Sequence, residues 1–335
     1  MAVTIKDIAK VCDVSYSTVS RVLNGKGVRK SAKSDQIIAI AKALNYRPNN
    51  IAIHLKKNQS NTLGLLIPDI ANPHYPEITK SVEDAALAAG YQVFFCNTDW
   101  DVSKETMYRD VLAEKRVAGI IVMPVTDGSH IIFKQSDIPI VLLGSRTEED
   151  SINYVVMDNV RASFMATEYL IHKGHRNLAY IGRKVINYTS SDRARGFALA
   201  IEKYGIPQKN AKVVSCDSYK LEGGYHAAKK LLECGNPPTG IVAFSDYVAL
   251  GVMQAVEERG LAVGRDISII GFDDILFSSI PKISLTTITP SKQELGRKAV
   301  DIILEKSNGF NRAAQVTSIL EPQIIERDTC GIISH

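Results

Sequence analysis

From residue 62 onward the chain alternates short apolar runs with longer amphipathic stretches, and it does so twice. The first series reads TLGLLIPDI, YQVFFCNTD, VAGIIVMPV and IPIVLLGS, separated by the helical stretches YPEITKSVEDAALAAG and SKETMYRDVLAEK. The second begins near residue 159 and reads NLAYIG, AKVVSCD, TGIVAFS and DISIIGFDD, again with helices between. Near-continuous apolar strands alternating with helices form parallel sheets covered on both faces. Two successive series therefore predict two doubly wound α/β lobes. A chain of 335 residues with a 45% hydrophobic fraction has the length and the apolar content for two such cores. Ligands in these sheets bind beyond the carboxyl ends of the strands, and here those ends read PDIANPHY, GSR, CDSY, AFSD and GFDD. A cleft between the lobes is the predicted binding site.

The first sixty residues have a different character. They hold eleven Lys and Arg against three acids, whereas the remainder holds 29 basic and 33 acidic residues. A basic head on a mildly acidic body implies a polyanionic partner for the head alone. Thr4 precedes Ile5, Ile8, Ala9 and Cys12 at helical spacing, and Asp7 completes a capping box. Asp13 in the following turn suits a left-handed conformation. Ser15 can cap a second helix that turns Val19, Val22 and Leu23 inward and Tyr16, Ser17, Ser20 and Arg21 outward, with Asn24-Gly25 as its stop. A third helix carries Ile37, Ile40, Ala41 and Leu44 on one side. Three short helices with a tight first turn predict a helix-turn-helix bundle. Short polar side chains opening its second helix can reach base edges in a major groove. Beyond it, Pro48 discourages helix at residue 47, and Asn49 can cap a further short helix with Ile51, Ala52 and Leu55. Such a helix is too short to stand alone and needs a partner, or else the segment is a tether.

Several classes are disfavoured. No apolar run approaches the roughly 18 residues that span a bilayer, and the N-terminus lacks a secretory signal pattern, so a cytoplasmic protein without a membrane partner is expected. Cysteines 12, 96, 216, 234 and 330 form no paired motif, and the histidines show no metal-ligand spacing. No metal or cofactor is expected. No phosphate-cradling glycine loop follows a strand, which argues against an enzyme built on the cleft. A transporter's solute-binding protein would need an export signal and would lack the basic head.

TIKDIAKVCDVSYSTVSRVLNGKG followed by ALNYRPNNIAIHL closely resembles the head of the lactose-repressor and galactose-repressor (LacI/GalR) family of bacterial transcription regulators. The resemblance implies that Tyr16, Ser17 and Arg21 read bases, with Thr18 and Asn24 nearer the backbone. Arg21 is then the candidate for a bidentate contact to guanine. It also implies that Asn49 opens a hinge helix whose Leu55, beside Ala52, wedges into the minor groove at the operator centre. Three positions and one stretch depart from the family pattern. Asp13 replaces a usual Gly, and Ile53 replaces a polar or basic residue. VRKSAKSDQ replaces a more acidic, Ser-capped start of the third helix, and its Arg29, Lys30 and Lys33 either add phosphate contacts or form a solvated basic loop. Ser245 replaces a usual Asn.

The body resembles the same family, and beyond it the periplasmic sugar-binding proteins, through IPDIANPHYPEI, GHRNLAYIG, RARGFALAI, AFSDYVALGVMQAV and ISIIGFDD. The resemblance implies a DNA-binding domain at 1–47, a hinge at 48–60 and an effector-binding, dimerising core at 61–335. The first lobe would comprise about 61–160 and 291–318, and the second about 161–290 and 319–335. It places His74 and Tyr75 on the first lobe's rim, Arg193 as the main ligand arginine, Asp273 as an acceptor of ligand hydrogen bonds, and Tyr219 as a stacking platform. Ser245 and Asp158 are the remaining effector-site candidates. Asp158 with Asn159 serves either the ligand or the lobe crossover, and Arg193 with Asp273 could instead be a structural ion pair. His175 is expected to cap a helix end. The expected partners are a pseudo-palindromic operator, a small-molecule effector of carbohydrate type and a second copy of the chain. No leucine heptads follow the last strand, so a dimer rather than a coiled-coil tetramer is expected.

Overall fold

The computed structural model describes residues 3–23, 31–44, 60–134, 138–183, 187–307 and 314–333. Contacts divide the chain into two compact units, residues 1–59 and 60–335.

In the first unit, α1 (Ile5–Cys12), α2 (Tyr16–Leu23) and α3 (Ala32–Ala43) surround a small core of Ile8, Ala9, Cys12, Val19, Val22, Ile37 and Ala41. The Asp7 carboxylate accepts from the Thr4 amide at 2.8 Å and hydroxyl at 2.7 Å, closing the expected capping box and holding its pKa below the usual range. Asp13 ends α1 at φ 49°, ψ 55°, the left-handed turn that redirects the chain into α2. One reading of the sequence needs correction. The third helix keeps a serine cap: Ser31 accepts from the Ser34 amide at 3.2 Å, and the Ser34 hydroxyl accepts from the Ser31 amide at 2.9 Å. Ser34 thus fills the role that a longer acidic side chain has in the usual box. Leu44 is more exposed than its spacing suggested, because α3 stops at Ala43 and leaves it on the cap.

The second unit runs β1 (Thr62–Ile67), α4 (His74–Ala88), β2 (Gln92–Asn97), α5 (Val102–Glu114), β3 (Gly119–Val122), α6 (Ser129–Phe133), β4 (Ile140–Leu143) and β5 (Asn153–Met157). It continues through α7 (Asn159–His172), β6 (Leu178–Arg183), α8 (Tyr188–Lys203), β7 (Ala211–Cys216), α9 (Leu221–Leu232), β8 (Gly240–Ala243), α10 (Asp246–Glu258), β9 (Ser268–Phe272) and β10 (Thr286–Thr289). The last elements are α11 (Lys292–Ser307), β11 (Thr317–Leu320) and β12 (Gln323–Ile325). One sheet has the order β11-β5-β4-β3-β1-β2 and the other β12-β10-β9-β8-β6-β7. All described pairings are parallel except β10 with β12.

Helices cover both faces of each sheet, which is why strands such as β1, β3, β8 and β9 are almost entirely buried and mostly apolar. In the first lobe, Ile78 and Val82 of α4 meet Leu295, Ala299 and Ile303 of α11 on one face, while Leu112 of α5 and Phe133 of α6 cover the other. In the second, α7 and α8 bring Leu170 and Phe197 to one face, and α9 and α10 bring Leu231 and Val252 to the other. Each of the buried Leu, Ile, Val and Phe side chains among these contributes roughly 1.5–3 kcal/mol relative to exposure.

The backbone passes between the sheets three times, after Met157, after Thr289 and after Leu320. The last passage lies two residues beyond the boundary expected near 318, since Ile319 and Leu320 still pair with Val156 and Met157. Asp158 and Asn159 stand at the first of these passages, directly after β5, with Asp158 outside secondary structure and Asn159 opening α7. Four of the cysteines are buried, Cys234 is exposed, and all five are free thiols. No described helix is long and apolar enough to cross a membrane.

Candidate functional site

Each unit carries one candidate site. On α2, buried Val19 and Val22 fix the inner face, which turns Tyr16, Ser17, Thr18 and Arg21 outward, all exposed. The Ser15 hydroxyl accepts from the Thr18 amide at 3.2 Å and lies 2.8 Å from the Ser17 and 2.9 Å from the Thr18 hydroxyls. The crowd of small polar side chains is therefore a capped helix start presenting hydroxyls and one guanidinium to its surroundings. Asn24, Asn49, Ala52 and Leu55 lie outside the described residues.

In the second unit, both sheets place β1-type strands between their second and third strands, giving the order 2-1-3-4-5 within each lobe. Such sheets bind ligands where the chain leaves neighbouring strands in opposite directions. Pro68, Met123 and Pro124 mark that point in the first lobe, and Arg183, Phe244 and Ser245 mark it in the second; together they line a single cleft of about 130 Å³.

His74, Tyr75, Arg193, Tyr219, Ser245 and Asp273 all line this cleft. Arg193, buried on α8, donates from Nε to Asn159 Oδ1 at 2.8 Å and from a terminal nitrogen to the Phe244 carbonyl, while Nη2 lies 3.8 Å from Asp273 Oδ1. Burial works against its charge and Asp273 supports it. Gly196, one turn on, allows this placement: a Cβ there would meet the Val160 carbonyl and the Phe164 amide, so only glycine lets α8 press against α7. The same Asp273 oxygen is 3.8 Å from His74 Nδ1, and burial holds the imidazole's pKa down. Asp273 occupies φ 107°, a region that normally belongs to glycine and costs of order 1–3 kcal/mol elsewhere, a strain concentrated at functional sites. Arg193 and Asp273 thus form an ion pair within the cleft lining.

Three of the effector-site candidates have structural partners of their own. Asp158 is outside the lining; its carboxylate accepts from the Arg161 amide at 2.9 Å and caps α7. Its neighbour Asn159 lines the cleft instead. Tyr219 is not a bare platform, because its ring meets Trp100 at a centroid distance of 4.4 Å and lies 3.8 Å from the Arg183 guanidinium. Ser245 is committed to the start of α10, accepting from the Val248 amide at 3.2 Å. His175 closes α7 through its backbone, donating to the Leu170 carbonyl, while its buried ring lies 3.0 Å from the Thr239 and 2.8 Å from the Ser268 hydroxyls.

Trp100, Asp127 and Arg183 were not singled out in the sequence, although they follow or end β2, β3 and β6. The strand-end rule applied to NTDW, MPVTD and YIGR would have found all three. Asp127 accepts from the Tyr188 amide at 2.8 Å, so a first-lobe carboxylate sits at the N-terminus of a second-lobe helix. Nearby Arg146 pairs with Asp192 through two contacts of 3.1 Å, again across the lobes. On the far side of the cleft Glu77 accepts from the Leu276 amide at 2.8 Å and pairs with Lys292.

Residues 4–49 match the model of bacterial regulatory proteins of the lacI family, and residues 167–330 match the periplasmic binding protein-like domain. The HTH-type transcriptional regulator RegA of Clostridium saccharobutylicum is 33% identical over 332 residues, covering 98% of this chain and 99% of that protein. This chain belongs to the LacI family. It is accordingly a transcriptional regulator with a helix-turn-helix head and a two-lobed core. A Lac repressor dimer bound to operator and the anti-inducer ONPF matches with a TM-score of 0.87 at 27% identity, over 98% of this LacI-family chain and 99% of the other. A LacI family regulator from Enterococcus faecium with bound ribose matches at 0.72 and 27%, over 82% and 100%. Among the described residues of the LacI-family chain, no group of three or more His, Cys, Asp or Glu side chains could hold a metal ion.

Proposed function

We propose that this regulator binds a pseudo-palindromic operator as a homodimer and that a small molecule of carbohydrate type, held between the lobes, controls its grip. The observation that carries the DNA half is the exposed set Tyr16, Ser17, Thr18 and Arg21 on the second helix of a basic three-helix head. Hydroxyls suit either donor or acceptor base edges, and an arginine fork matches guanine O6 and N7. Asn24, Asn49, Ala52 and Leu55 extend the proposed contact, with Leu55 as the minor-groove wedge. The Lac repressor's operator-bound dimer supports this reading.

The effector half rests on the cleft. Asp273 accepts hydroxyl protons, Arg193 donates to oxygens, and His74, Tyr75 and the Tyr219–Trp100 pair supply ring faces and edges, a set suited to a polyhydroxylated ligand. Exposed Phe94 and Phe95 on the edge strand β2 and exposed Leu276 and Phe277 beside the second sheet favour a self-association face along both lobes. Effector binding would shift the relative orientation of the lobes, and the paired heads would then fit or miss the operator; operator and effector must affect each other's affinity by the same factor.

Selection of the full chain against random duplexes, followed by anisotropy titration, tests the reading. The expected outcome is one enriched half-site in inverted repeat, affinity falling steeply with salt, and an Arg21→Ala variant that loses preference at one base pair, a change of roughly 1–3 kcal/mol. Absence of any enriched sequence overturns it.

A further inference from the structure

Arg183 ends β6 at the switch point of the second lobe and lines the cleft. Its guanidinium lies 3.8 Å from the ring centroid of Tyr219 and 5.0 Å from that of Trp100. No carboxylate pairs with it among the described residues, in contrast to Arg193 and Arg146. Its Nε is buried and has no hydrogen-bond partner among the described residues; the same holds for Trp100 Nε1 and His74 Nδ1, and all three residues line the cleft. Two of these nitrogens, Arg183 Nε and Trp100 Nε1, carry hydrogen and can only donate. A guanidinium stacked on a ring keeps its edge free, and that edge matches two oxygens of a planar or tetrahedral oxyanion.

We propose that the effector carries an oxyanion, a carboxylate or a phosphate on a compact polyhydroxylated body, and that Arg183 is the residue that selects it. The inference rests on the cleft being the effector site. An oxyanion supplies acceptors for buried donors and charge for a cation that, among the described residues, is paired with no carboxylate. A neutral sugar hydroxyl supplies the first and not the second. Trp100 is the chain's single tryptophan, so its emission reports occupancy at this place.

The test titrates the full chain with D-gluconate, D-glucuronate, D-galacturonate and D-glucose 6-phosphate, each against its neutral parent, and with inorganic phosphate alone, following Trp100 emission and melting temperature. At least one acid should bind at least tenfold more tightly than its parent, and Arg183→Gln should cost that acid roughly tenfold to a hundredfold, abolishing its preference over the parent. Arg183→Lys, which keeps the charge and loses the fork, should recover part of the preference. The carboxylate and phosphate arms distinguish the two forms of oxyanion, and a response to inorganic phosphate alone would assign the site to a free ion and overturn the proposal. Equal affinity for acid and parent, an acid preference that survives in Arg183→Gln, or no acid binding at all also overturns it. The cleft reading fails separately if compounds that bind the native chain bind Arg193→Ala equally well.

Discussion

Asp246 is fully buried at the start of α10, where its carboxylate accepts from the Ile275 amide at 3.0 Å, the Ser278 hydroxyl at 2.7 Å and the Thr287 hydroxyl. Burial, with Asp273 nearby, raises its pKa from 3.8 to about 8 despite those donors. Between these values the folded chain retains a proton that the unfolded chain has released. Its stabilising contribution is therefore complete below the unfolded pKa and is lost as pH rises through about 8. The expected result is a stability that declines toward alkaline pH by up to about 1.4 kcal/mol per pH unit from this group. Asp246→Asn, whose amide can serve the same hydroxyls, should flatten the decline. Urea unfolding of both proteins between about pH 5 and 8 measures the difference, and parallel curves would remove Asp246 as the cause.

Helix ends decide how the recognition face is presented. α3 begins on the reciprocal pair Ser31 and Ser34, and Ile37 and Ala41 then dock it against α1 and α2. Ser31→Ala should cost about 1 kcal/mol, as the loss of an N-cap usually does. Hydrogen exchange of the full chain should show protection falling about fivefold in α1 to α3, with residues 60–335 unchanged. A uniform loss across both units would contradict a local capping role. Sequence spacing located these helices because burial in so small a bundle leaves each with one inward face. It misjudged the α3 cap because a serine does here what an acidic side chain does elsewhere. β5 was also missed, as a five-residue strand following polar residues has too little pattern to separate from a connection.

At the scale of the second unit, contacts on both flanks of the cleft hold the lobes together. Arg146 with Asp192, and Asp127 with the Tyr188 amide, form one flank; Glu77 with the Leu276 amide, and Lys292 with the Asp274 carbonyl, form the other. These groups separate if the lobes part, so their strength enters the balance between closed and open arrangements. Asp192→Ala removes a bidentate pair whose carboxylate is mostly buried. The expected consequence is a larger radius of gyration in solution scattering without ligand, and an effector affinity about threefold to tenfold lower. Unchanged scattering and affinity would show that the pair does not influence closure.

The sequence by itself determined the two lobes, the helix-turn-helix head and the outward face of α2, because periodicity and capping act over a few residues and leave a local record. The family resemblance marked Arg193, Tyr219 and Asp273, of which the last two also follow the strands β7 and β9. Only the tertiary structure decided that Arg183 meets Tyr219 and Trp100, that Asp158 faces away while Asn159 faces in, and that Asp127 reaches Tyr188. Those meetings depend on how three chain crossings bring two separately built sheets together, and residues 61 positions apart along the chain leave no local pattern of the contact they make.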